Sequence, residues 1–157
     1  MSDLHSHPLV LVVDDDIFER MGGSYMFLDA GYRVLEAGSA DEALQFLESN
    51  ADVGLLFTDV SMPGSMSGFD LAHRTAERWP EIGIIITSGR PRPEPFPLGA
   101  QFHAKPYEPT NVLKHAGDMT APARVTVNRK GPDYGRFALG QFLRRSFLPA
   151  GDIYLLR

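Results

Sequence analysis

Four stretches of this 157-residue chain put charged or hydroxyl side chains directly behind apolar runs. Asp14-Asp15-Asp16 follow LVLVV (9–13), Asp59 follows VGLLFT (53–58), Thr87 and Ser88 close IGIIITS (82–88), and Lys105 follows AQFHA (100–104). A carboxylate at the end of a buried strand is costly to keep charged, and several in one pocket repel one another besides. A hard divalent cation relieves both costs, and Mg²⁺ suits an oxygen-only donor set because it keeps several waters and often meets phosphate. A lone lysine offsets part of the negative charge and can hold an incoming anion, while a threonine hydroxyl adds a hydrogen-bond donor. Such a set suits a phosphoryl group bound beside a metal, with a carboxylate as nucleophile.

For these groups to meet, the apolar runs must be strands of one sheet whose carboxyl ends share a rim, where open α/β sheets hold their ligands. LVLVV is a continuous apolar run, the pattern of a strand buried on both faces. The spacing of Ile17, Met21, Tyr25 and Leu28 predicts a helix over 17–29, with Gly31 as its stop. YRVLEA (32–37) alternates as a strand, and Ser39 to Glu42 reads as a capping box opening an amphipathic helix over 39–49. Residues 53–58 form a third strand, 68–79 a third helix stopped by Pro80, and 82–87 a fourth strand. This βαβαβαβ order implies a parallel sheet with right-handed crossovers and helices on both faces. Prolines at 91, 93, 95 and 97 then forbid a helix and predict extended chain. A short fifth strand (100–104) and a final helix (107–117) follow, so the fourth crossover lacks most or all of its helix.

Composition sets the remaining bounds. With 43% hydrophobic and 22% charged residues, the chain is ordinary globular material, long enough for one domain with an appendage. The absence of cysteine removes disulfides, thiolate metal sites and thiol nucleophiles. MSDLHSHPLVLVVDDD has no basic leader and no other run approaches a membrane span, so neither a signal peptide nor a membrane partner is expected, and the expected location is cytoplasmic. Residues 1–117 hold 8 Lys and Arg against 17 Asp and Glu, a net −9, whereas 118–157 hold 7 against 3, a net +4. The contrast divides the chain into an acidic body, 1–117, and a basic extension, 118–157. Asp16 is read as starting the first helix, where negative charge is favoured. His5, His7, His73, His103 and His115 show no metal-ligand spacing and read as solvent or packing residues, as does Trp79.

VLVVDDD, LLFTDVSMPG, IIITS and KPY, in this order and near this spacing, resemble the receiver domain of bacterial two-component response regulators over about residues 8–117. The resemblance implies a flavodoxin-like, doubly wound five-stranded parallel sheet of order 2-1-3-4-5. It implies that Asp59 is the phosphoacceptor, charged by a histidine kinase or a histidine phosphotransfer protein. Asp15, Asp59 and the Ser61 backbone carbonyl would bind Mg²⁺, with Asp14 acting through water. Lys105, Thr87 and Ser88 would meet the phosphoryl oxygens, and the bond to Pro106 would be cis. Thr87 and Phe102 would form the switch, although Phe102 also fits plain core and Ser88 a small spacer. The chain is then not a turnover enzyme, beyond slow self-phosphorylation from small donors and self-dephosphorylation tuned at Ser61 and Gly89.

The chain departs from that pattern at three places. MPGSMSG (62–68) is one residue longer than usual and carries Ser67 where an acid is common. Thr87 to Lys105 spans 18 residues, a few fewer than usual. Without a fourth helix the family's standard dimer face is altered, which leaves a homodimer through another interface and makes Pro91–Pro97 a changed recognition surface for a downstream protein. No recognised output domain is read in residues 118–157. They read as docking onto the body, exchange with a second subunit, a flexible tail, or nucleic-acid contact through Arg124, Arg129, Lys130, Arg144 and Arg145; no helix-turn-helix supports the last. A haloacid-dehalogenase-type phosphatase would use Asp14 and Asp16, but it lacks a suitable late acidic pair and leaves Asp59 unexplained.

Overall fold

Continuous apolar runs followed by polar turns set the architecture of the computed structural model, which describes residues 8–49 and 52–121. The order is β1 (Leu9–Val13), α1 (Ile17–Asp29), β2 (Arg33–Ala37), α2 (Ala40–Ser49), β3 (Val53–Asp59), α3 (Gly68–Arg78), β4 (Gly83–Ser88), β5 (Gln101–Ala104) and α4 (Pro109–Thr120). The strands form one parallel sheet of order β2-β1-β3-β4-β5. This is the flavodoxin-like fold. Expectations for residues beyond Ala121, and for His5 and His7, lie outside the described residues.

The sheet is packed on both sides because side chains alternate along each strand. Leu9, Leu11 and Val13 of β1 join Leu56, Ile84 and Ile86 in one apolar layer, covered by Ala40, Ala43 and Leu47 of α2 and Leu71 and Ala72 of α3. Val10 and Val12 point the other way, with Leu55, Phe57 and Ile85, beneath Phe27 of α1 and Val112 and Ala116 of α4. Burying each such side chain is worth about 1.5–3 kcal/mol, so the strands that bear the site are the best-anchored part of the chain.

Helix α1 forms where the apolar spacing places it, but on a different face. Ile17, Phe18, Met21, Tyr25 and Leu28 are exposed, and the residues that turn inward are Gly23, Ser24 and Phe27. Close packing explains the inversion. A Cβ at Gly23 would stand 3.2 Å from the Phe57 ring and 3.3 Å from Val12, so the helix lies on the sheet through its smallest residues. Phe27 then fills the space beside them, edge-on to Phe57 at 5.2 Å. The chain leaves the helix through Gly31, at φ 91°.

Two helix starts also differ from the sequence reading. At α2 the box is half formed: Ser39 Oγ accepts from Glu42 N, but the Glu42 carboxylate accepts from Gly38 N at 2.8 Å instead of from Ser39 N. At α3 a complete capping box joins Ser67 and Asp70, and these hydrogen bonds hold the Asp70 carboxyl below its usual pKa. The residue that departs from the family's acid is therefore the cap of α3.

No helix fills the fourth crossover, residues 89–100. Aromatic contacts take its place. Phe96 lies 6.4 Å from Phe69 of α3 and edge-on to Phe102 of β5 at 6.2 Å, with the Arg92 guanidinium 4.1 Å above its ring. His73 Nε2 bonds the Pro95 carbonyl oxygen at 2.8 Å. The peptide bonds preceding Pro95 and Pro106 are cis.

Beyond this strap, His103 of β5 and His115 of α4, read separately as packing residues, hydrogen-bond to each other, Nε2 to Nδ1, at 2.9 Å. Burial, and the imidazole of His115 beside it, push the pKa of His103 below its ordinary 6.5. The unfolded chain therefore takes up this proton first, so the stability contributed here is complete above about pH 6.5 and falls as pH drops toward the folded-state value. Denaturant titrations between about pH 7.5 and 5.5 should show a loss of stability that His103→Gln reduces. A second expectation concerns Gly68, where a Cβ would collide with the Asp59 carbonyl and stand 2.7 Å from Thr58 Oγ1. Gly68→Ala should cost about 3 kcal/mol or more by urea unfolding, since backbone blocks the space.

Candidate functional site

The rim at the carboxyl ends of the strands gathers side chains from four separate segments. Asp14 follows β1, where its N–H extends the pairing with β2 by donating to Ala37 O at 3.2 Å. Its Oδ1 accepts from Asp16 N at 3.0 Å, which fixes the carboxylate; the residue is buried. Asp15 is exposed beside it. Asp16 caps α1, its Oδ1 accepting from Phe18 N and Glu19 N. Asp16 is therefore engaged in starting α1.

Asp59 ends β3, opposite Thr87 of β4. Its backbone is held on both sides: Thr58 Oγ1 donates to Asp59 O at 2.9 Å, and Val60 N donates to Thr87 O at 3.0 Å. Gly68 packs against the same carbonyl, and Gly68 N donates to Val60 O at 3.0 Å. The longer loop between Asp59 and α3 is anchored by buried Met62 and Met66, and its tip by Ser65 Oγ, which donates to the Asp41 carboxylate. The loop is thus tied down at its tip to α2. Ser61 and Pro63 are exposed at the rim.

Lys105 follows β5 and is fixed by its N–H donating to Ser88 O at 2.8 Å. Its Nζ stands 3.2 Å from Asp14 Oδ2, 3.3 Å from Asp59 Oδ1 and 3.6 Å from Glu19 Oε2. Three carboxylates thus share one ammonium. Burial alone would lower the pKa of Lys105, but Asp14 and Asp59 outweigh it and hold the value above the ordinary lysine range. Burial raises the pKa of Asp59; Lys105 opposes this and Asp14 adds to it, and the net direction is upward. The two shifts are consistent because Asp59 receives only a share of the lysine's charge.

Asp14, Asp15 and Asp59 each present a carboxylate oxygen within 4.8 Å of the other two. Three hard oxygens with one shared ammonium leave the rim negatively charged, a donor set that fits a hard divalent cation. Thr87 is buried, and its hydroxyl faces the Thr58 carbonyl oxygen at 3.5 Å. Ser88 Oγ accepts from Arg90 N at 3.0 Å, so it supports the turn out of β4. Phe102 is half-buried, edge-on to Phe96 of the strap. Two further residues belong to the site: Glu19, through Lys105, and Arg20, whose Nη1 donates to Asp14 O at 2.7 Å while its Nε pairs with Glu36 at 3.6 Å. Both lie a turn past the Asp14–Asp16 run, and that helical spacing was the available signal. Among the described residues no helix is long and apolar enough to cross a membrane.

Comparison with known proteins agrees with this fold. The family model for the response regulator receiver domain matches residues 10–110. A two-component response regulator of rice, Oryza sativa subsp. indica, is 35% identical over 114 residues, covering 68% of this chain and 86% of that protein. Among solved structures, a response regulator receiver protein from Pseudomonas putida is 27% identical with a TM-score of 0.63, covering 71% of this chain and 97% of that one. The chemotaxis protein CheY4 of Vibrio cholerae is also 27% identical, with a TM-score of 0.64 over 72% of this chain and 98% of its own. The 2-1-3-4-5 sheet thus has a family: this chain belongs to the response regulator receiver domains, the receiver modules of two-component signalling.

Proposed function

We propose that Asp59 is the phosphoacceptor of this receiver and that its phosphorylation changes the surface formed by the strap and β5. The observation that carries the reading is the Lys105 ammonium, 3.3 Å from Asp59 Oδ1 in a cluster of three rim carboxylates. Receiver domains take their phosphoryl group from histidine kinases or phosphotransfer proteins and bind Mg²⁺ at an acidic aspartate cluster. Here Asp15, Asp59 and the Ser61 carbonyl are the proposed direct ligands, with Asp14 acting through water. When bound, the ion supplies positive charge that makes the approach of an anionic donor to a carboxylate tolerable.

An Asp59 carboxylate oxygen forms the bond to phosphorus as the P–N bond to the donor imidazole breaks. The nitrogen keeps that electron pair and takes a proton from solvent. Lys105 exchanges a carboxylate contact for a phosphoryl oxygen, and Thr87 turns its hydroxyl from the Thr58 carbonyl toward the same group. Ser88 lies at the strand end beside them. Space vacated by Thr87 is the opening through which Phe102 leaves Phe96, so the strap carries the signal to a downstream protein or a second copy. The exposed apolar stripe of α1 begins directly behind Asp14–Asp16, where a protein bringing a phosphohistidine to Asp59 would land. The receiver unit, read from the sequence as ending at 117, is proposed to end with α4 at Thr120, and the residues beyond to be a separate extension. The chain acts as a phosphoacceptor, with self-dephosphorylation as its only turnover.

Incubation with Mg²⁺ and acetyl phosphate, followed by peptide mass spectrometry, should place one base-labile phosphate on Asp59, and Asp59→Asn should carry none. Label on Asp14, or undiminished label in Asp59→Asn, would overturn the assignment. Without Mg²⁺, Asp59→Asn should also raise the thermal midpoint, because it removes a buried charge from beside Asp14; about 1 kcal/mol of relief corresponds to roughly 4 °C in a domain of this size. Hydrogen exchange with and without beryllofluoride tests the output surface: protection should change in residues 89–104, and an unaltered strap would refute its role.

A further inference from the structure

Glu19 is absent from the chemistry derived so far, yet it is the third carboxylate on the site's lysine. It sits in the first turn of α1, and its N–H donates to Asp16 Oδ1 at 3.0 Å, so its position is tied to the acidic run. Its Oε2 stands 3.6 Å from Lys105 Nζ, with about half of its side chain exposed, against about a tenth for Asp14 and Asp59. Glu19 and Lys105 line an open cleft with Pro106 and Tyr107. Asp14 and Asp59 therefore hold the ammonium from inside the site, and Glu19 holds it from the solvent side. An acid in a first helical turn is favoured by the helix dipole in any case. That preference explains the residue type but not its contact with a lysine that lies 86 positions further along.

We propose that Glu19 is a positioning residue: it draws the Lys105 ammonium toward solvent and puts a negative charge beside the path of an anionic phosphodonor. It thereby slows phosphorylation by small donors and competes with the phosphoryl group for Lys105. The proposal rests on Asp59 being the acceptor. Removing the charge while keeping the shape, by Glu19→Gln, frees the lysine for the incoming anion.

The test is the rate of Asp59 labelling in the full chain with Mg²⁺. With acetyl phosphate, a dianion at neutral pH, Glu19→Gln should be faster by about 2- to 5-fold at low ionic strength, the range for partly exposed ion pairs. The gain should shrink at high salt, where exposed charges are screened. It should also be smaller with phosphoramidate, which carries less negative charge, and Glu19→Asp, which retains the charge, should restore slow labelling. A merely structural role in the first turn of α1 would produce neither the salt nor the donor-charge dependence. Equal or slower labelling of Glu19→Gln at low salt, with phosphate still on Asp59, overturns the role of Glu19 alone. Failure to label Asp59 in either protein overturns the phosphoacceptor reading beneath it.

Discussion

One ammonium group, shared among Asp14, Asp59 and Glu19, is the constraint around which this receiver is built. Without it, two carboxylates buried at strand ends would face each other with only hydrogen bonds to compensate. With it, they remain usable but strained, since the lysine's charge is divided and Asp59 stays above its usual pKa. Every element that fixes the lysine or the nucleophile follows from that balance. Ser88 holds the Lys105 backbone, Thr58 and Gly68 hold the Asp59 carbonyl, and Asp16 anchors Glu19. The site is an electrostatic balance kept by backbone contacts.

The strap shows how a fold can lose an element and keep its chemistry. A helix after β4 would cover the face of β5 that bears Phe102; here Phe96 does so with one ring, between Phe69 and Phe102. Half-buried aromatic contacts have less area to lose than a packed helix, so the segment next to the site can rearrange at lower cost. Its exposed surface also differs in kind, presenting Arg90, Pro91, Arg92, Glu94 and Leu98 instead of a helical face. Chemistry and contacts can diverge because different elements carry them.

Much of this was legible in the sequence. LVLVV read as a strand buried on both faces and IGIIIT as a strand, and the βαβ alternation put the polar residues behind them on one rim. The prolines at alternate positions excluded a helix on local stereochemistry alone. What stayed hidden was tertiary. Ile17, Met21, Tyr25 and Leu28 gave the right helix and the wrong face, because Phe27 turns inward beside Gly23 and Ser24, two small residues that hydrophobicity does not mark. Ser67 read as a missing acid, yet it caps α3. The pairs Glu19–Lys105 and His103–His115 join different elements; helical spacing puts Glu19 near the acidic run, but nothing local announces its lysine or the histidine pair.

The place of Lys105 in chain order has a consequence for how the molecule is made. Everything negative at the rim belongs to the first 59 residues, whereas the lysine lies 46 positions later, after a crossover with no helix of its own. As the chain emerges from a ribosome, β1, β2 and β3 can associate first and present an uncompensated acidic edge. The arrival of Lys105 relieves that repulsion, so attraction to the rim helps draw β5 onto β4. The last strand of the described sheet to be synthesised, β5, then meets an edge whose charge imbalance favours its lysine.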